Sequence, residues 1–222
     1  MPFTYEYARP AVTADITIFT VRNDELNVLL IKRAEQPFQG EWALPGGFLQ
    51  ENEGPDEAAA RELVEETGVS DVYLEQLSTF GAPGRDPRGH VITIAYSALI
   101  PSDNLELTAS TDAEGVAWFA IDKLPDLALD HDEILELAHD RLVAKLEYST
   151  IAFQLMPESF TLTELQHVYE LIERKAIDKR NFRKRMLALD LIEATGEEKR
   201  EGPHRPAKLY RVIDRSKVDL IK

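Results

Sequence analysis

The sequence predicts an α/β layered domain followed by a smaller domain of two helices and a hairpin. Three observations point to this fold class. Up to about Ser149, short runs rich in β-branched and aromatic residues are interspersed with long helical patterns, as in layered α/β domains. Beyond that point, two segments of helical spacing precede two strand-like runs. The charge changes character at the same place. Residues 1–149 carry 10 Lys+Arg against 28 Asp+Glu, a net of −18, whereas 150–222 carry 15 against 12, a net of +3. The boundary therefore falls near Tyr148–Thr150, dividing 1–149 from 150–222 without a flexible Gly/Ser linker.

The first strands are "ADITIFTV" and "LNVLLIKR", joined by the turn "RNDE". The second is a nearly continuous apolar run, as expected of a strand covered on both faces. "VYLEQLSTF", "HVITIAYSALI" and "EGVAWFAI" are the remaining strands, and a helix is expected from Asp132 to about Leu146. Trp42 and Trp118 are read as core residues, and His131 as a helix-start or packing residue.

Between these strands lies "GGFLQENEGPDEAAARELVEETGV", Gly46 to Val69, with seven carboxylates and one basic residue. Pro55 suits the first turn of a helix, where its missing N–H costs nothing, and Gly68 suits a left-handed C-terminal cap. Glu62, Glu65 and Glu66 stand at i, i+3 and i+4 and share one face. Like charges at that spacing repel. The face is either solvated or organised around a cation, and a hard divalent ion takes oxygen ligands of this kind.

The segment resembles the Nudix box, G-x5-E-x7-R-E-U-x-E-E-x-G-U, with U an aliphatic residue. Gly47, Glu53, Arg61, Glu62, Leu63, Glu65, Glu66, Gly68 and Val69 fill every fixed position at the required spacing. The lead-in "EWALPGGF" is also typical of these domains. The resemblance implies a Nudix α/β/α sandwich that hydrolyses a nucleoside diphosphate linked to another group. It implies Glu62, Glu65 and Glu66 as ligands of Mg²⁺ (or Mn²⁺), and Arg61 with Glu53 as a buried pair fixing loop to helix. A carboxylate would serve as general base, with Glu65 and Glu66 as candidates, and the family pattern does not choose between them. Asp112 and Glu114 are candidates for a further ligand or base. Gly46 and Gly47 would lie at the ligand. "GRDPRG" is a turn whose Arg85 or Arg88 would meet diphosphate or ribose oxygens, with Arg33 a further candidate.

In the C-terminal part, Thr161-x-x-Glu164 is a capping-box pattern, followed by Leu165, Val168, Tyr169 and Ile172 at helical spacing. Asp178 is a good N-cap for "KRNFRKRMLALD". Phe182, Met186 and Leu189 fall on its inner face. Lys179 opens the helix, and Arg180, Asn181, Lys184 and Arg185 lie outward. Two strands flank a polar loop with Lys199, Arg200, His204 and Arg205. This order is that of a winged helix-turn-helix, whose second helix enters the major groove while the wing meets phosphates. The alternative is a module that only dimerises.

Taken with the Nudix box, the tail resembles that of the Nudix-related transcriptional regulators of NAD metabolism (NrtR). "RPAVTAD", "PFQGEWALPGGF", "GRDPRGH", "LALDHDEIL", "FTLTELQ", "DKRNFRKRM" and "GPHRPAKLYR" carry the likeness over nearly the whole chain. It implies ADP-ribose as effector, double-stranded operator DNA as partner, and a homodimer. Many such regulators have eroded boxes, but this box is complete, which favours hydrolysis to AMP and ribose 5-phosphate. The alternatives are a plain pyrophosphatase with a dimerising tail and a sensor without turnover.

The chain has no cysteine, so disulfides and thiolate metal sites are excluded. No apolar run is long enough to span a membrane. The N-terminal residues lack the form of a signal peptide, so a cytoplasmic location is expected.

Overall fold

The computed structural model describes residues 6–101, 113–200 and 206–221, with the side chains of 113 and 114 outside that description. Strands β1 (Ala11–Arg22) and β2 (Glu25–Arg33) form a hairpin. Asn23 and Asp24 between them both have positive φ, 51° and 59°, which is the backbone of a twist-matched two-residue turn. Strands β3 (Trp42–Ala43) and β4 (Gly46–Phe48) are short. They are followed by helix α1 (Pro55–Thr67), β5 (Tyr73–Phe80), β6 (Val91–Leu99), β7 (Ala113–Ala120) and α2 (His131–Tyr148).

These strands form one sheet in the order β3-β2-β1-β6-β5, with β4 also paired to β1 and β7 to β2. β1 is buried without interruption from Thr13 to Thr20, and β2 from Leu26 to Leu30. Successive strand residues point to opposite faces, so unbroken burial means that both faces are covered. The two short strands were not anticipated from the sequence. Two or three residues are too few to show a period, and β4 exists only because it pairs antiparallel with β1, Asp15 opposite Gly46 and Ala14 opposite Gly47.

Helix α1 begins at Pro55 and ends on Gly68 in the left-handed conformation, φ 70°, whose N–H bonds Val64 O. Glu57 reaches back to accept the Gly54 N–H at 2.7 Å, and glycine has no side chain to return that bond. Trp42 and Trp118 are half-buried rather than core residues. Trp42 meets Phe119 edge-to-face at 4.8 Å.

After α2, a 3₁₀ turn (Ile151–Leu155) buries Ile151, Ala152, Phe153 and Leu155. It precedes β8 (Phe160–Thr161), α3 (Leu162–Glu173), α4 (Lys179–Ala188), β9 (Ile192–Lys199) and β10 (Ala207–Val212). β8 pairs with β10, and β10 with β9, in a second, three-stranded sheet. The capping box of α3 is formed: Glu164 N–H donates to Thr161 Oγ1 at 3.1 Å, and Thr161 N–H donates to Glu164 Oε2 at 2.6 Å. Asp178 caps α4 by accepting the Asn181 N–H at 2.8 Å. Phe182 and Met186 are buried, and Phe182 meets Tyr169 edge-to-face at 5.1 Å. Leu189 is only half-buried, because α4 stops one residue before it.

The chain forms two compact units. The first holds Met1–Phe19, Val28–Ala98 and Leu105–Ala138, and the second holds Thr20–Asn27, Leu99–Asn104 and His139–Lys222. The turn of the β1–β2 hairpin thus groups with the C-terminal residues, which chain order does not reveal.

Candidate functional site

In the first unit, the face of α1 opposite the solvent-facing Val64 carries the carboxylates. Glu62 is 8% exposed and Glu66 3%, whereas Glu65 points outward. The Arg61 guanidinium stands among them. Its Nε and Nη2 donate to the two oxygens of Glu53 at 2.8 and 3.1 Å, and its Nη1 donates to Glu62 at 2.7 Å and to Glu65 at 3.3 Å. Glu53 in turn accepts the Gln50 N–H at 2.9 Å. The Arg61–Glu53 pair therefore ties the loop to the helix, and both side chains are partly solvent-accessible.

The Gly46–Gly47 loop lies against this face. A Cβ on Gly47 would fall 2.1 Å from Glu62 Oε1, so only glycine lets the backbone approach the carboxylate this closely. Burial foremost, and then the charges of Glu65 and Glu66, push the Glu62 carboxyl above its ordinary value against the pull of Arg61. A buried carboxylate crowded by like charges gains from a cation, and the donors here are all oxygen, which suits Mg²⁺ or Mn²⁺. Among the described residues, no three acidic or imidazole groups converge tightly enough as they stand to hold a metal ion. The Arg61 fork lies between Glu53, Glu62 and Glu65 and keeps them apart.

Arg61, Glu62, Glu65 and Glu66 line one wall of a cleft of about 440 Å³. Gly46, Gly47, Arg33, Arg85 and Arg88 line it as well. Arg33 donates from Nε to Pro37 O at 2.9 Å. The Arg85 side chain is 3% exposed and grips Asp130 with Nε and Nη2 at 2.8 and 2.5 Å, while Nη1 donates to Thr93 Oγ1 at 3.0 Å. Arg88 chelates Asp86 at 3.0 and 2.6 Å and lies 5.1 Å from the ring centre of the exposed Phe48. Asp112 lies outside the described residues. Glu114 lies within β7, but its side chain is outside the description.

Asp15 and His131 are among the cleft residues that carry no site role in the sequence analysis. Asp15 is 7% exposed and faces the cleft from β1 together with Thr13. A lone acid in the apolar strand "ADITIF" was the available signal. His131, 2% exposed, starts α2 after a turn that holds Leu129 at φ 61°, a conformation unfavourable for leucine. The imidazole Nδ1 accepts the Leu44 N–H at 2.8 Å. Burial foremost lowers its pKa below 6.5, so it is neutral at pH 7.

In the second unit, Lys179, Arg180, Asn181, Lys184 and Arg185 are all exposed on α4. Arg185 leans on the end of α2, donating to Glu147 O at 3.3 Å. Lys199 and Arg200 are exposed at the end of β9, with Lys199 bonded to Glu164 at 2.6 Å. His204 and Arg205 lie outside the described residues. A groove of about 540 Å³ runs between the start of α3, α4 and the β9–β10 hairpin, and its cations are Lys179, Arg183, Lys199 and Lys208. Arg183 and Lys208 were not singled out from the sequence. The i, i+4 spacing of Lys179 and Arg183 is the signal that would have found Arg183.

An acidic, glycine-looped α/β cleft and a helix-turn-helix whose second helix exposes a cluster of cations define a two-domain protein: a nucleotide-type hydrolase fold joined to a nucleic-acid-binding module. Residues 12–138 match the NUDIX domain, and residues 152–212 match the NrtR DNA-binding winged helix domain. The ADPR responsive transcriptional repressor NtrR of Acinetobacter baylyi is 41% identical over 93% of this chain and 83% of its own length. The ADP-ribose pyrophosphatase of Methanocaldococcus jannaschii is 41% identical over 59% of this chain and 73% of its own. The crystal structure of Shewanella oneidensis NrtR with a 27mer DNA superposes with a TM-score of 0.82 at 38% identity, covering 90% of this chain and 93% of that one. The chain belongs to the Nudix family, in its NrtR-type form with a C-terminal winged helix. Nudix hydrolases generally use divalent metals. Among the described residues, no helix is long and apolar enough to cross a membrane.

Proposed function

We propose that this protein is a transcriptional repressor that responds to ADP-ribose and also hydrolyses it. The observation that carries the catalytic part is the set of Arg61, Glu62, Glu65 and Glu66 on one wall of the cleft beside Gly46 and Gly47, with Arg61 tied to Glu53 behind them. The repressor part rests on the exposed cations of α4 and the groove they share with the wing, together with the likeness to the A. baylyi repressor and the DNA-bound S. oneidensis structure. The likeness to the M. jannaschii enzyme supports hydrolysis.

Glu62, Glu65 and Glu66 would hold Mg²⁺ or Mn²⁺. When bound, such an ion would offset the repulsion between these carboxylates and a diphosphate and would supply Lewis-acid activation of the phosphoryl group and of water. Glu65 or Glu66 takes the proton of the attacking water. The oxygen of that water bonds to phosphorus, and the bond from phosphorus to the bridging oxygen breaks, leaving AMP and ribose 5-phosphate. Arg61, locked to Glu53, holds the carboxylate wall in register. Arg88 stands at the mouth, where its fork can turn from Asp86 to a phosphate. Operator DNA lies along α4, contacted by Lys179, Arg180, Asn181 and Lys184, with Lys199 and Arg200 on the adjoining backbone. A two-fold dimer, the commonest homo-oligomer, presents two such helices to a palindromic site in the cytoplasm.

The test is AMP release from ADP-ribose with Mg²⁺, run beside Glu66→Gln, together with operator binding by both proteins. Turnover that falls roughly a hundredfold or more in the variant, with DNA binding kept, supports the reading. Absence of turnover with ADP-ribose still releasing DNA would leave a sensor without catalysis. Absence of any DNA binding in low salt would overturn the repressor reading.

A further inference from the structure

The floor of the Nudix cleft carries a polar constellation that the phosphate chemistry does not use. Thr13 and Asp15 are two apart on β1 and so share a face. Thr93 comes from β6 and His131 from the start of α2. All four are buried and line the cleft. Thr93 Oγ1 donates to Asp15 Oδ2 at 2.8 Å, and it also meets the Thr13 hydroxyl and the Arg85 guanidinium. Asp15 is pressed from the other side by the Gly46 backbone, where an added Cβ would fall 2.4 Å from its Oδ1. The carboxylate is thus fixed in place by β4 and β6.

His131 faces it. Its Nδ1 accepts a backbone N–H, so the neutral ring carries its proton on Nε2. That Nε2 is buried, has no hydrogen-bond partner, and lies 3.8 Å from Asp15 Oδ2, too far for a hydrogen bond. A buried donor left unsatisfied is costly. The floor therefore presents one acceptor and one donor aimed at a common space. A gap of 3.8 Å is shorter than two hydrogen bonds of about 2.8 Å laid end to end, so a single oxygen admitted between the groups by a small shift of the buried ring would bond both.

We propose that Asp15 and His131 form a hydroxyl clamp for the sugar beyond the diphosphate: a sugar hydroxyl donates to Asp15 and accepts from His131 Nε2–H. A phosphate oxygen does not fit, because it cannot donate to a carboxylate and is repelled by it. An adenine edge offers a donor and an acceptor. However, Thr13, Thr93 and Arg85 surround this pair, and no Phe, Tyr or Trp among the described residues lines the floor, whereas the exposed Phe48 at the mouth supplies an aromatic face. The ligand accordingly enters sugar first, with its base outward. This assignment rests on the cleft binding a nucleoside diphosphate sugar, and it adds which end of that ligand the protein reads.

The test is calorimetric binding of α,β-methylene ADP-ribose and α,β-methylene ADP to the full-length protein in Mg²⁺, for wild type, Asp15→Asn and His131→Gln. Asparagine keeps the acceptor for Thr93 and removes the charged acceptor for the ligand. The clamp predicts that both variants lose roughly tenfold or more in affinity for the ADP-ribose analogue, with affinity for the ADP analogue unchanged, since ADP has no terminal sugar. Equal losses for both analogues would place the base on the floor and overturn the proposal. Unchanged affinity for both would mean that the pair holds only water, and would overturn it too. Wild type that binds neither analogue would refute the nucleotide-sugar reading itself, and the clamp with it. Melting temperatures of the ligand-free variants establish that the losses do not arise from unfolding.

Discussion

Lowering the pH should destabilise the Nudix domain through His131, and His131→Gln should remove that part of the acid sensitivity. The residue is 2% exposed at the floor of the cleft. Burial foremost holds its pKa below 6.5, with Arg85 and Arg33 assisting and Asp15 and Asp130 opposing. Above pH 6.5 the imidazole is neutral in both folded and unfolded chains, and the contribution is fully present. Below 6.5 the unfolded chain binds a proton that the folded one refuses, so stability falls as pH falls. The difference is at most one proton, about 1.4 kcal/mol per pH unit, so about 1.4 kcal/mol is the upper bound on the loss between pH 7.5 and 5.5. Both tryptophans, Trp42 and Trp118, lie in the first unit, so their fluorescence during urea unfolding reports on that unit. The experiment compares the change in unfolding free energy between pH 7.5 and 5.5 for wild type and His131→Gln. Carboxylates and the other four histidines contribute to both proteins and cancel in the comparison. Equal acid sensitivity in the two proteins, or an imidazole seen by NMR to titrate at or above 6.5, would refute the reasoning.

Phe182→Ala removes the ring that meets Tyr169 and should cost the winged helix about 3–4 kcal/mol. Operator binding in a mobility-shift assay should then be lost while AMP release from ADP-ribose persists. Lys179→Ala and Arg183→Ala should each weaken operator binding for all sequences alike and lower the slope of log affinity against log salt by about 1; an unchanged slope would remove that residue from the phosphate contacts. Gly47→Ala places a Cβ 2.1 Å from Glu62 Oε1 and should lower kcat roughly tenfold or more by pushing the carboxylate off the wall, with the urea midpoint nearly unchanged. Full activity in that variant would show that Glu62 can move without consequence.

The legible features were those written within a few residues. Pro55 and Gly68 bound α1, Thr161 and Glu164 cap α3, Asp178 caps α4, and Asn23–Asp24 turn the first hairpin. Each of these depends on hydrogen bonds or dihedral preferences that span four residues or fewer. The 3.6-residue period likewise put Glu62, Glu65 and Glu66 on one helix, and Phe182 with Met186 on the inner face of another. Tertiary structure alone decided what those faces meet. Asp15 and His131 are far apart in sequence and come together only because β1 and the start of α2 line the same cleft. Arg85 has the form of a free phosphate ligand in the sequence, but it is clamped by Asp130, 45 residues away. The β1–β2 turn belongs to the N-terminal half by chain order and to the second unit by contact. A local pattern sets what a segment becomes, because its own backbone satisfies it. The partner of a buried polar group is set by how the segments pack, and no short stretch of chain encodes that.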